Sequence, residues 1–144
     1  MPKSPMQNLT DEIDAEADVS FQGGRTNNLT DLGCSIGAIV ASFLAAVLAA
    51  VSGAPGWVTA AVAALPGLCN SLQRIVDFRG RSAWYFVKYA KLRDLALRTK
   101  YNSSLTPEEA GLQLGAIVKE MEDRWSELVR TGAPPAPKLS QAIK

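Results

Sequence analysis

The chain contains no histidine. Histidine is the side chain whose ordinary pKa lies near neutrality and the commonest metal ligand, so its absence removes most acid–base, triad and zinc chemistry. Cysteine is scarce too, with only Cys34 and Cys69. They fall near the same end of an expected antiparallel helix pair, where a disulfide is geometrically possible. Facing a cytoplasm, two such thiols are expected to stay reduced. Neither charge sign dominates: 15 Lys and Arg balance 14 Asp and Glu. No bulk attraction to nucleic acid follows. A phosphate-cradling glycine loop is missing, since Gly23-Gly24 has no strand–helix frame around it. The acidic run 11–18 lacks the spacing and the glycine of a calcium loop. With no catalytic constellation in view, an enzyme is not expected, nor any cofactor or metal.

One further absence organises everything else. From Leu32 to Gln73 there is no Asp, Glu, Lys or Arg; Asp31 and Arg74 bound the gap. Ser52-Gly53-Ala54-Pro55-Gly56 punctuates it with turn-forming residues. The two arms, Leu32–Val51 and Trp57–Gln73, each match or approach the length of a membrane-crossing helix, roughly 30 Å at 1.5 Å per residue. Pro55 offers a good first helical residue for the second. In the first arm, Leu32, Ile36, Ile39, Val40, Phe43, Leu44, Val47, Leu48 and Val51 supply roughly −3 to −5 kcal/mol of insertion free energy. The second is weaker, with Pro66 and Asn70 opposing its insertion. Pro66 leaves the Val62 carbonyl without its helical donor, so a kink is expected there. A buried hairpin in a soluble helical protein would need the charged remainder to wrap both arms, and that remainder is too short. Residues 31–73 are therefore expected to be a transmembrane hairpin.

Small residues recur along each arm: Gly33, Gly37, Ala41, Ala45 and Ala49 in the first, Ala63, Gly67 and Ser71 in the second. Such stripes permit close helix approach in lipid, within a hairpin or between chains. Ser42, Thr59, Asn70 and Ser71 are the intramembrane polar groups. Asn70 either faces another helix or a wet lumen, or sits at headgroup depth beside Arg74.

The flanks have different chemistry. Residues 1–30 are expected to be a disordered acidic tail, with Pro2, Pro5, Gly23 and Gly24 as breakers. Within it Asp11, Glu12, Asp14, Glu16 and Asp18 cluster, and Leu9, Ile13 and Ala17 can share one side of a short helix capped by Thr10. Opposite charge suggests that this acidic segment screens the basic one that follows the hairpin. An acidic stretch ahead of two apolar arms does not read as a signal peptide. Residues 74–100 carry Arg74, Arg79, Arg81, Lys88, Lys91, Arg93, Arg98 and Lys100 against Asp77 and Asp94. The turn between the arms has no charge, so the positive-inside rule assigns both termini to the cytoplasm. Arg74, Arg79, Arg81 and Lys88 are the juxtamembrane bases. They are either a solvated helix face or a contact to anionic headgroups, at about 1 kcal/mol each.

Ile75, Phe78, Tyr85, Tyr89, Leu92 and Ala96 step at helical spacing, which predicts a helix continuing out of the second arm. Thr106-Pro107-Glu108-Glu109 is a capping box with proline at the first helical position. It opens a helix predicted to run to Thr131, with Leu114, Ile117, Val118, Met121, Trp125 and Leu128 as its apolar stripe. Glu120, Glu122, Asp123 and Glu127 suit it to fold back on the basic helix. The expected fold is thus all-α: a two-helix transmembrane hairpin (31–73) continuing into a cytoplasmic antiparallel helix pair (74–131). Residues 132–144 are expected to be a disordered proline-rich tail.

This layout resembles the SLATT domain, a two-transmembrane effector module of bacterial conflict and anti-phage systems. The resemblance covers about Leu29 to Val129 and rests mainly on Asp77-Phe78-Arg79-Gly80-Arg81-Ser82-Ala83-Trp84 and Tyr89-Ala90-Lys91-Leu92-Arg93-Asp94-Leu95. Family members similarly leave the second span through a phenylalanine into a long helix with small, aromatic and leucine positions. Many carry a histidine near Trp84-Tyr85, which this chain lacks. The resemblance implies an oligomeric pore-forming effector in the inner membrane, with a nucleotide-sensing or nucleotide-producing partner encoded separately. A phage-type holin and a non-conducting membrane anchor or scaffold are the alternatives. Lipid bilayer and further copies of the chain are the expected partners, with no nucleic acid.

Overall fold

A computed structural model describes residues 3–51, 53–102 and 104–131; the expected tail at 132–144 lies outside the described residues. Four helices, with no strand among the described residues, make up the chain: α1 (Pro5–Ala50), α2 (Gly56–Val76), α3 (Phe78–Tyr101) and α4 (Pro107–Thr131). They divide into two compact units. One combines the described residues of Met1–Gly24 and Ala83–Lys144; the other is Arg25–Ser82.

The start of α1 corrects an expectation. Residues 5–30 are not a disordered tail but the first part of a single 46-residue helix. Its opening is a capping box. The Ser4 N–H donates to Gln7 Oε1 at 2.9 Å, and the Gln7 N–H donates to Ser4 Oγ at 3.2 Å. Pro5 takes the first helical position, where its missing N–H costs nothing. Thr10, expected as a cap, lies inside the helix, its hydroxyl bonded to the Met6 carbonyl at 2.8 Å. What holds the segment is tertiary packing. Ile13 is wholly buried and Ala17 nearly so, in a cluster with Leu92, Leu95 and Ala96 of α3; Leu9, Tyr89, Leu114 and Ile117 pack around it. Burying a side chain such as Ile13 or Leu92 stabilises by about 1.5–3 kcal/mol.

The two glycines that read as breakers serve this packing. A Cβ on Gly23 would lie 2.8 Å from Tyr85 Cε1, and one on Gly24 would lie 3.1 Å from Phe86 Cε1. A methyl group at Gly23 would force the Tyr85 ring to shift and one at Gly24 would crowd Phe86, so glycine is kept here despite a helix propensity poorer by about 1 kcal/mol per residue. Phe21 adds ring contacts to Phe86 and Tyr89, at centroid distances of 6.2 and 5.2 Å.

The Thr106 cap forms as expected. The Thr106 N–H donates to Glu109 Oε2 at 3.0 Å, and the Glu109 N–H donates to Thr106 Oγ1 at 3.2 Å. These bonds hold the Glu109 carboxyl below its ordinary range. Trp84 and Trp125 lie 5.1 Å apart between ring centroids, and the Trp84 indole N–H donates to the Met121 carbonyl at 2.8 Å. Met121, expected in the core, is 1% exposed.

In the second unit α2 begins within a residue of the expected start and runs through Pro66 to Val76. It does not continue into α3. Asp77 breaks the chain with φ 46° and ψ 58°, the sole positive-φ residue besides glycine among the described residues. Aspartate tolerates this left-handed conformation better than most residues. Its N–H bonds the Gln73 carbonyl at 3.0 Å, closing α2, and its Oδ1 accepts from the Gly80 N–H at 3.1 Å, opening α3.

Candidate functional site: the uncharged helices and their charged end

Helical spacing decides which side of each uncharged helix is covered. In the second half of α1 the less exposed positions are Cys34, Ser35, Ala38, Ala41, Ala45 and Leu48. In α2 they are Val58, Thr59, Val62, Pro66, Cys69 and Gln73. Apart from the adjacent pairs Cys34/Ser35 and Val58/Thr59, each set steps by three or four, one face of a helix. Nearly everything else is bare. Ile39 and Phe43 are both 70% exposed, Leu68 is 65% and Trp57 is 76%. Among the described residues α2 buries none. α1 is long and apolar enough to cross a membrane, with 6% of its most apolar window buried.

The small-residue positions separate on this map. Ala41 is 5% exposed and Ala45 half-buried. Gly33, Gly37, Ala63 and Gly67 are exposed, and a Cβ on Gly33, Gly37 or Gly67 would meet nothing within 4 Å. Among the described residues, nothing packs on these glycines. The polar residues divide likewise. Ser42 satisfies its hydroxyl on the Ala38 carbonyl at 2.8 Å, so it places no unpaired donor on the exposed face. Thr59 is half-covered, while Asn70 and Ser71 are exposed.

At the charged end, Gln73 gathers a polar cluster. Its Nε2 lies within hydrogen-bond reach of the Asp31 carbonyl (2.9 Å), Asp31 Oδ1 (3.0 Å) and Ser35 Oγ (2.9 Å). Arg79 Nε donates to Asp31 Oδ2 at 2.8 Å. The Asp31 side chain is 13% exposed, so the guanidinium supplies a charge that this carboxylate needs. The same pairing raises the Arg79 pKa. Sequence reading used Asp31 and Gln73 only as boundaries of the uncharged run. Their signal was a carboxylate and an amide at the two ends of one apolar stretch. Asp77 was missed as well, and its Oδ2 is buried without a hydrogen-bond partner among the described residues.

In the other unit the charges of α3 are largely matched. Lys88 pairs with Glu16 and sits over the Trp84 ring, 5.5 Å from its centroid. Arg93 reaches Asp14 at 3.0 Å. Lys91 pairs with Glu120, which Arg124 also holds at 2.8 Å. Lys91 above all, with Arg124, lowers the Glu120 pKa. The acidic segment 11–18 thus does meet the basic helix, through two named pairs. Of the four juxtamembrane bases, Lys88 and Arg79 are engaged by carboxylates, Arg81 has a partner, and Arg74 lies exposed in the last turn of α2. A half-open cavity of about 310 Å³ lies beside Trp84, Tyr85, Lys88, Met121, Glu122 and Trp125.

No cluster of three or more potential metal ligands occurs among the described residues. No family model, curated protein or solved structure matches the chain.

Proposed function

We propose that the chain is a two-span membrane protein whose copies assemble into a regulated pore, acting as the membrane-permeabilising effector of a bacterial defence system. One observation carries the reading: Leu32 to Gln73 has no charged side chain, and its two helices leave large apolar residues bare. In water that surface far exceeds the patches monomers tolerate; in lipid it is the solvated surface. Residues 31–73 form a transmembrane hairpin in the inner membrane, with both termini cytoplasmic because the bases follow it and its turn has none. The three contacts from Gln73 back to Asp31 and Ser35 suit such a hairpin. The contacts of Trp84 with Trp125 and of Lys91 with Glu120 suit an antiparallel α3–α4 pair.

One hairpin cannot enclose a conducting path, so several copies are needed. Gly33, Gly37, Ala63 and Gly67 supply faces where backbones can approach. Asn70 and Ser71 are the polar groups available to line a wet path, with Thr59 at its margin and Ser42 already satisfied. The defence role and a separately encoded nucleotide-sensing or nucleotide-producing partner come from the resemblance to the SLATT domain. The packed unit of α3, α4 and the start of α1 favours this over a holin, which requires only a short charged tail. A non-conducting scaffold is the second reading, favoured by Leu112 and Val129 of α4, exposed at 71% and 64%, as a surface for a soluble partner.

The test is conductance. Expression in a bacterium, followed with a potential-sensitive dye, is expected to give lasting depolarisation, weakened by Asn70→Leu. Full membrane potential at high, membrane-localised expression would leave the scaffold. Recovery of the folded chain from the soluble fraction without detergent would end both.

A further inference from the structure

Cys34 and Cys69 are the protein's only thiols, and neither is in a disulfide. Both lie on the covered sides of their helices and both are partly exposed. Gln73 sets the register. It stands one turn beyond Cys69, and its Nε2 engages Ser35, next to Cys34, and Asp31, one turn before it, at 2.9–3.0 Å. With those bonds made, Cys34 and Cys69 stand at neighbouring levels on the covered sides of α1 and α2. Asp31, one turn before Cys34, pairs with Arg79 at the charged end of the uncharged run.

We propose that Cys34 and Cys69 form a reversible redox pair, a dithiol at rest that a hydroperoxide closes to an intramolecular disulfide joining α1 to α2. Either thiol first loses its proton, and its sulfur attacks the O–O bond of hydrogen peroxide. Hydroxide leaves and takes up that proton, giving a sulfenic acid and water. The second thiol's sulfur then attacks the sulfenic sulfur. The S–S bond forms, the S–O bond breaks, and the sulfenic oxygen departs with the second proton as another water. Overall two thiols and one hydrogen peroxide give one disulfide and two waters; the sulfurs lose the two electrons that the peroxide gains. Disulfides that do form in a reducing compartment are mostly transient and redox-sensing, which suits a pair at the cytoplasmic end of a hairpin. Closure would tie together the two helices whose separation or rotation any gating motion must use.

The full chain in native membranes is treated with hydrogen peroxide, quenched, denatured and labelled with a maleimide, then weighed and run on a non-reducing gel. The expected product is a monomer that takes up no maleimide until reduced and two afterwards; C34S and C69S yield no such species. Two maleimides bound after peroxide, or a disulfide-linked dimer as the main product, would overturn the pairing. This readout needs no conductance, so its failure leaves the pore reading standing and the converse also holds.

Discussion

The two units spend similar residues in opposite ways. In the charged unit, Ile13, Leu92, Leu95 and Met121 are at most 2% exposed, and acids from α1 and α4 face bases on α3. Along the uncharged run of the other unit, side chains just as large stand bare: Ile36, Ile39, Val40, Phe43 and Leu68 are all near half exposed or more. Water drives apolar residues inside, and a lipid solvent would leave little free energy to gain by hiding them. The difference in burial is what the proposed membrane hairpin would produce.

The sharpest way to break that contrast is to exchange solvents by mutation. Leu92→Ala is expected to destabilise the charged unit by about 2–5 kcal/mol, as a cavity in a closed core. Ile39→Ala should leave thermal unfolding of that unit, followed by circular dichroism in detergent, unchanged. Ile39→Arg is expected to cost about 3 kcal/mol of insertion, read as a fall in the membrane-bound fraction. Equal loss of helix on heating for Leu92→Ala and Ile39→Ala would erase the distinction.

A smaller effect is expected where backbone and ring meet. Gly23→Val drives a side chain into Tyr85 and should cost about 1–3 kcal/mol. Gly37→Val, with open space around it, should leave the charged unit's stability alone and act only on association between copies, measured by detergent-solubilised mass. At the helix junction, Asp77→Ala loses the α3 cap and pushes an alanine into left-handed backbone, at about 1–2 kcal/mol. Asp77→Asn keeps both features and should change stability by less than about 0.5 kcal/mol; hydrogen exchange at the Gly80 amide reads the difference.

The smallest effect is electrostatic. The Glu120 pKa is lowered in the folded chain, chiefly by Lys91. Its contribution is therefore present above the ordinary glutamate pKa and is lost as pH falls through the lowered folded value. The pair is partly exposed, so Glu120→Gln should cost about 0.5 kcal/mol at pH 7 and almost nothing at pH 3. A Glu120→Gln penalty of the same size at both pH values would show that the loss comes from packing rather than charge.

Much of the helical layout could be read from residue patterns. The uncharged run, the turn at Gly53–Gly56, the Thr106 box and the end near Thr131 are local signals and came through to within a residue or so. The start of α1 did not, although Ser4-Pro5-Met6-Gln7 repeats the logic of Thr106-Pro107-Glu108-Glu109. Glycines 23 and 24 and the acidic run outweighed that signal, because their partners, Tyr85, Phe86, Lys88 and Arg93, are some 60 to 80 positions away in the chain. Asp77 was passed over because a helix-friendly pattern ran straight through it, and nothing local marks a left-handed residue.

Composition and spacing alone determined that the chain is helical, that it carries a long apolar stretch without a charged side chain, and that no histidine is available for chemistry. Those follow from side-chain hydration and helical period, which act over a few residues. Tertiary structure decided that α1 is one helix from Pro5 to Ala50, which glycines admit rings and which stay open, and that Gln73 meets Asp31 and Ser35. Such choices depend on contacts between positions far apart in the chain, and only the folded chain brings those positions together.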